Sequence, residues 1–318
     1  MKVGFWLVSL SMALTHIGPW ASAQIYRPYV PDIPGVRSMS FYLPAPGALA
    51  EVLSAHGVQF SLSSWCRSYL SPWRSSSRPK TIEMWVVDGL YAFSDIKSQI
   101  YGYRLLEAAL AQNLQPHHRV LVLGSGVGFE AVVLAQRFGV HVDAIDIDPR
   151  AVRFTEINAE RHGVSERVRS FQSDLFERVE GTYDLILFNA PRALLEDDYR
   201  EWLSTPNPNE NFIIGGNVTE LKPPTYEQWI ASFAKDDSKR AFADPGGKLL
   251  FRTLDQFPKF LSAKGRFLLM TTSHLPKYIN TSQLTSRRVS EDPWELGNPS
   301  TKNQTFGIFE LSLRPEPK

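Results

Sequence analysis

A glycine turn, Leu123-Gly124-Ser125-Gly126-Val127-Gly128, is followed at set distances by Asp146, Asp174 and the tetrapeptide Asn189-Ala190-Pro191-Arg192. Closely spaced glycines let a chain turn tightly and bring backbone N–H groups against a ligand. An acid about 20 residues past such a turn suits the hydroxyls of a ribose, which donate hydrogen bonds to a carboxylate. Asp146 stands 18 residues beyond Gly128. Asp174 suits the amino group of an adenine, with Leu175 or Phe176 covering the ring. Together these residue types and spacings fit the holding of a nucleoside.

The flanking sequence supplies elements to position them. Residues 119–123 form a Val- and Leu-rich run between a charged residue and a glycine, as expected of a strand buried on both faces of a parallel sheet. Residues 130–138 carry apolar side chains at helical spacing, so the turn leads from a strand end to a helix N-terminus, where free N–H groups gather. Residues 140–145, 167–172 and 183–188 read as three further strands, ending at Asp146, Asp174 and Asn189. Asp148-Pro149 has the form of an N-cap and first helical residue, which leaves Asp146 for the ribose. Ligands of open α/β sheets bind outside the carboxyl ends of the strands, so all four elements converge on one crevice. Taken alone, the glycine run suits an ordinary strand-to-helix turn equally well.

With these residues in order, the chain resembles the class I S-adenosylmethionine-dependent methyltransferases. Within them it is similar to the methyltransferase small domain group, which includes release-factor glutamine and ribosomal RNA guanine N-methyltransferases. The resemblance covers roughly residues 92–272 and takes in Tyr91-Ala92-Phe93-Ser94 and Tyr103-Arg104-Leu105-Leu106-Glu107-Ala108, similar to the helix before the first strand in that group. It implies a Rossmann-like α/β fold, mostly parallel with an antiparallel closing strand. It further implies that S-adenosylmethionine is the cofactor, with Gly124, Ser125, Gly126 and Gly128 at its methionine end, Asp146 at the ribose, and Asp174 and Leu175 at the adenine. Asn189 and Pro191 match the group's Asn-Pro-Pro-aromatic tetrapeptide, whose Asn orients an acceptor nitrogen in line with the methyl group. Phe93 and Arg192 would then face the acceptor. Ala190 and Arg192 depart from the tetrapeptide, and Val122 stands where many relatives carry an acid.

Other chemistries fit less well. A dinucleotide fold places its third glycine where this chain has Phe129, which disfavours a nicotinamide-dependent oxidoreductase. Leu123-Gly124-Ser125-Gly126 lacks the G-x-S-x-G nucleophile elbow. His117 and His118 precede a strand, and the spacing of a metal-binding pair is missing, so no metal is expected. A methyltransferase-like module without activity is a further reading, suggested by Val122, Ala190 and Arg192.

A chain of 318 residues with 43% hydrophobic content has room for one large α/β domain and a smaller part. A net charge of +1 argues against a strongly electrostatic nucleic-acid binder. The exception is local: residues 24–80 hold six basic residues (Arg27, Arg37, Arg67, Arg74, Arg78, Lys80) against Asp32 and Glu51, with Trp65, Tyr69 and Trp73 interleaved. Lys2, an apolar run over residues 3–14 and Ala21-Ser22-Ala23 match the three parts of a secretory signal peptide, so export is expected, with a cytoplasmic or membrane-anchored protein as the alternative. The lone Cys66 excludes an internal disulfide.

The expected organisation is a signal peptide over residues 1–23, an N-terminal appendage over 24–85 and a methyltransferase domain over 86–318. Residues 193–247 are rich in Pro and Gly in their first half and read as a lid or acceptor-binding insertion. Residues 226–233 and 248–261 are helix-like, 265–272 read as a fifth strand after a helix stop, 281–303 as loop, and 306–313 as the closing antiparallel strand. The acceptor itself, whether protein, RNA or small molecule, is left open.

Overall fold

The computed structural model describes residues 34–43, 81–88, 90, 96–204, 225–234, 243–290 and 306–315. The expected signal peptide, Phe93 and much of the insertion lie outside them.

The apolar runs form a seven-stranded sheet: β3 (Arg119–Leu123), β4 (His141–Asp146), β5 (Val168–Gln172), β6 (Tyr183–Asn189), β9 (Leu261–Thr272), β10 (Leu284–Ser290) and β11 (Phe306–Leu313). Its order is β10-β11-β9-β6-β3-β4-β5. The strands from β9 to β5 run parallel, and β11 inserts antiparallel between β9 and β10. Alternate side chains explain why these runs are continuously apolar. Val120, Val122, Leu185, Leu187, Leu268 and Met270 enter one core layer. Leu121, Leu123, Ile186, Phe188, Phe267 and Leu269 enter the other.

The first layer is covered by α1 (Ile96–Leu110), α2 (Phe129–Phe138) and α3 (Pro149–Arg161). Leu105, Leu106 and Ala109 of α1 are buried there, as the upstream segment led one to expect. Asp148 caps α3 by accepting from Arg150 N, with Pro149 in the first turn, again as read. The second layer is closed by α6 (Lys248–Gln256) and the 3₁₀ turn Phe257–Phe260.

Four readings are corrected. The helix over 248–261 stops early, at Gln256, where the 3₁₀ turn Phe257–Phe260 takes over, and β9 begins at Leu261. Gly265 is therefore not the first residue of the fifth strand. It lies inside β9 at the register shift opposite Tyr183 and Leu185, where a Cβ would come within 2.7 Å of the Tyr183 carbonyl oxygen. Residues 281–303 are not all loop, because β10 pairs with β11. Its polar residues are cross-strand partners: Thr285 Oγ1 meets Ser312 Oγ at 2.6 Å, and Arg287 pairs with Glu310 at 3.1 Å. The fourth correction concerns the boundary at residue 85, which cuts a strand. β1 (Val36–Tyr42) and β2 (Thr81–Val87) form an antiparallel ribbon whose Phe41, Ile82, Met84, Trp85 and Val86 join the first core layer.

The two ends of the segment read as an insertion lie side by side. β7 (Arg192–Leu194) pairs in parallel with β8 (Ala243–Pro245). Between them α4 (Glu196–Ser204) and α5 (Tyr226–Ala234) bring Tyr199 and Trp229 into a small core with Leu194 and Ala243.

Candidate functional site

The crevice lies where β3 is flanked by β4 on one side and β6 on the other, the point at which strand order reverses. Leu123 is in register with Ile145 and with Phe188. The glycine turn, Asp146 and Asn189 thus leave three neighbouring strands at the same level.

The turn is fixed from within. Ser125 N donates to Ile145 O at 2.9 Å, and Gly128 N to Ser125 O at 2.8 Å. All three glycines have positive φ. Gly128 has a second reason to be glycine: a Cβ there would stand 3.0 Å from Thr155 Cα, so its absence lets α3 approach the turn. Gly124 is exposed, and apart from the Phe188 ring its open side gives a ligand direct access to backbone. Ser125 does not present its side chain to the crevice as expected. It is buried, with Oγ 3.2 Å from Thr155 Oγ1, and it holds the turn.

Asp146 closes the turn from the next strand. One carboxylate oxygen accepts from Gly126 N at 3.0 Å and the other from Asp148 N at 2.9 Å. Burial lifts its pKa above the usual carboxylate value, against those bonds, which act to lower it. A carboxylate has about four accepting positions, so capacity for ribose hydroxyls is left. Beside it Ile147 is 66% exposed, an apolar surface at the end of β4 that the sequence reading does not single out. Its signal was the apolar residue wedged between two acids.

Asp174 follows β5, but one of its oxygens is already engaged by Arg252 of α6 at 3.0 Å. Leu175 is buried with φ +48°, a left-handed backbone unusual for leucine and typical of functional sites. Phe176 does not cover a ligand ring, since it stacks on Phe260 in the core with centroids 4.8 Å apart. Asn189 ends β6 half-buried, followed by buried Ala190 and half-buried Pro191. Arg192 opens β7.

The sequence pattern marks Glu130 only as a helix residue. It is 6% exposed in the first turn of α2, two residues past Gly128. Burial pushes its pKa up to about 7, against hydrogen bonding by its own backbone N–H, which acts to lower it. Val122, in the strand leading into the turn, is part of the apolar core. Phe129 is buried beside Phe41, ring centroids 5.0 Å apart. Among the described residues no group of His, Cys, Asp and Glu is arranged to hold a metal ion.

The strand order, with its antiparallel β11 and a glycine turn at the switch point, defines the class I methyltransferase fold. Residues 92–198 match the model of the methyltransferase small domain. The ribosomal protein uL3 glutamine methyltransferase of Neisseria meningitidis serogroup A is 41% identical over 75 residues, 23% of this chain and 25% of its own length. The release factor glutamine methyltransferase of Cereibacter sphaeroides is 40% identical over 105 residues, 31% of this chain and 37% of its own. A ribosomal protein L11 methyltransferase of Exiguobacterium is 29% identical over 140 residues, 43% of this chain and 44% of its own. The chain thus spans about a quarter to under half of the length of these relatives.

Proposed function

We propose that this chain is an S-adenosylmethionine-dependent methyltransferase acting on nitrogen, with a protein side-chain amide or amine as acceptor. The observation that carries the reading is the glycine turn and Asn189 on neighbouring strands in register, at the switch point of the sheet. The acceptor class is supported by the glutamine methyltransferases among the relatives, together with Asn189 and Pro191.

The fit of the cofactor can be judged group by group. Open backbone at Gly124 suits the methionine end, the Asp146 carboxylate the ribose, and exposed Ile147 the adenine face. The remaining oxygen of Asp174 suits the adenine amino group, its other oxygen being held by Arg252. Glu130 supplies the negative charge that Val122 does not, as partner for the methionine ammonium. A buried carboxyl that titrates near neutrality ionises when a cation arrives.

When bound, the cofactor supplies a methyl group on a positively charged sulfur. The task left to this chain is orientation. In this reading Asn189 accepts hydrogen bonds from the acceptor NH₂ and aims the nitrogen lone pair, while Pro191 stiffens the segment that carries it. Ala190 and Arg192 depart from the group's tetrapeptide and so bear on which substrate enters.

The experiment is Asn189→Ala, assayed for transfer of labelled methyl from S-adenosylmethionine to protein acceptors and, separately, for cofactor affinity. Turnover is expected to fall by at least 100-fold with affinity changed less than about threefold, because the proposed contacts are to the acceptor. Retained turnover would overturn the role of Asn189.

A further inference from the structure

The described part of the N-terminal ribbon is tied to the glycine turn through one buried side chain. Asn158, on the inner face of α3, is fully buried. Its Nδ2 donates to Val127 O in the turn at 2.9 Å and to Trp85 O in β2 at 2.9 Å, and its Oδ1 accepts from Trp85 N at 2.7 Å. Both polar backbone groups of Trp85 therefore meet one amide, which pairs with β2 as a neighbouring strand would. One helical turn on, His162 repeats the pattern. A ring nitrogen lies 2.8 Å from Glu83 O, two residues along the same edge of β2. Between them Arg161 lays its guanidinium 4.3 Å from the Trp85 ring centre.

The other end of the same face grips the turn. Thr155 Oγ1 donates to Gly126 O at 3.3 Å, and Gly128 gives α3 room to come that close. An edge strand exposes a row of unpaired N–H and C=O groups. Here part of that row is covered by side chains that also touch, or lie one turn from, the cofactor loop.

We propose that Asn158 is a positioning residue that makes the β1–β2 ribbon part of the cofactor site, by holding the Val127 carbonyl and the Trp85 peptide in one fixed arrangement. The proposal rests on the reading of the turn as an S-adenosylmethionine site. It carries a consequence that a merely structural bond lacks. Tightening of the turn on cofactor binding is transmitted to the Trp85 amide, whose acceptor is Asn158.

The test is amide hydrogen exchange on the full chain with and without S-adenosylmethionine. Exchange is expected to slow over residues 124–130 and also at Trp85 and its neighbours in β2. In Asn158→Ala the affinity is expected to fall at least tenfold, with the cofactor-dependent slowing lost from β2 and kept in the turn. Slowing confined to the turn in the wild-type protein, or an Asn158→Ala variant with unchanged affinity, would overturn the link. No slowing anywhere would overturn the cofactor reading and the link with it. Should Asn158→Ala fail to fold, the wild-type pattern alone decides.

Discussion

Asp146→Ala is expected to weaken S-adenosylmethionine binding by about 100-fold or more, since hydrogen bonds to a charged group contribute about 1.5–3 kcal/mol each and two ribose hydroxyls are at stake. The structure adds a second cost. The Asp146 carboxylate also accepts from Gly126 N and Asp148 N, so its removal loosens the glycine turn and the entry to α3. Asp146→Asn separates the two effects. It keeps an acceptor for one backbone N–H but loses the charge, and should bind with intermediate affinity. Isothermal titration of the three proteins provides the check. Equal affinities would show that this strand end does not hold the ribose.

Glu130→Gln is expected to stabilise the protein in a pH-dependent way. An acid whose pKa is higher folded than unfolded binds its proton more tightly in the folded state, so its ionisation costs stability as pH rises. For Glu130 the pKa is raised by burial from 4.5 to about 7. The penalty is therefore absent below pH 4, grows through the interval between those values and is complete above pH 8. At one pKa unit per 1.36 kcal/mol, it amounts to about 3 kcal/mol. The variant and the wild type should unfold alike in urea at pH 4, and the variant should be the more stable at pH 8. The same substitution should weaken cofactor binding about tenfold at pH 7 and abolish proton release on binding. A variant with wild-type stability at both pH values would show that the carboxyl is not desolvated as described.

Much of this arrangement was legible in the sequence, because buried parallel strands are continuously apolar and their ends carry the chemistry. Val120 through Leu123 and Leu185 through Phe188 could be read as strands since both faces are covered. The Asp148-Pro149 cap could be read because capping is local. What was not legible depended on distant partners. β10 looks like loop until Glu310 and Ser312 are placed opposite Arg287 and Thr285. Gly265 looks like the start of a strand until Tyr183 O is brought against it inside β9. Asn158 sits among the charged residues of α3, where a polar residue reads as surface, and only the ribbon 73 positions away shows its use. Arg252 lies 78 positions from Asp174, and no local pattern links them. Glu130 did leave a trace, as an acid inside an otherwise apolar first turn.

Whether the glycine turn, Asp146 and Asp174 form an S-adenosylmethionine site is decided by calorimetric titration of the full chain with S-adenosylmethionine and, in parallel, with NADH. Saturable binding of one S-adenosylmethionine per chain is expected, with no measurable binding of NADH. A folded protein that gives no heat with S-adenosylmethionine, or that binds NADH instead, would contradict that assignment of the site.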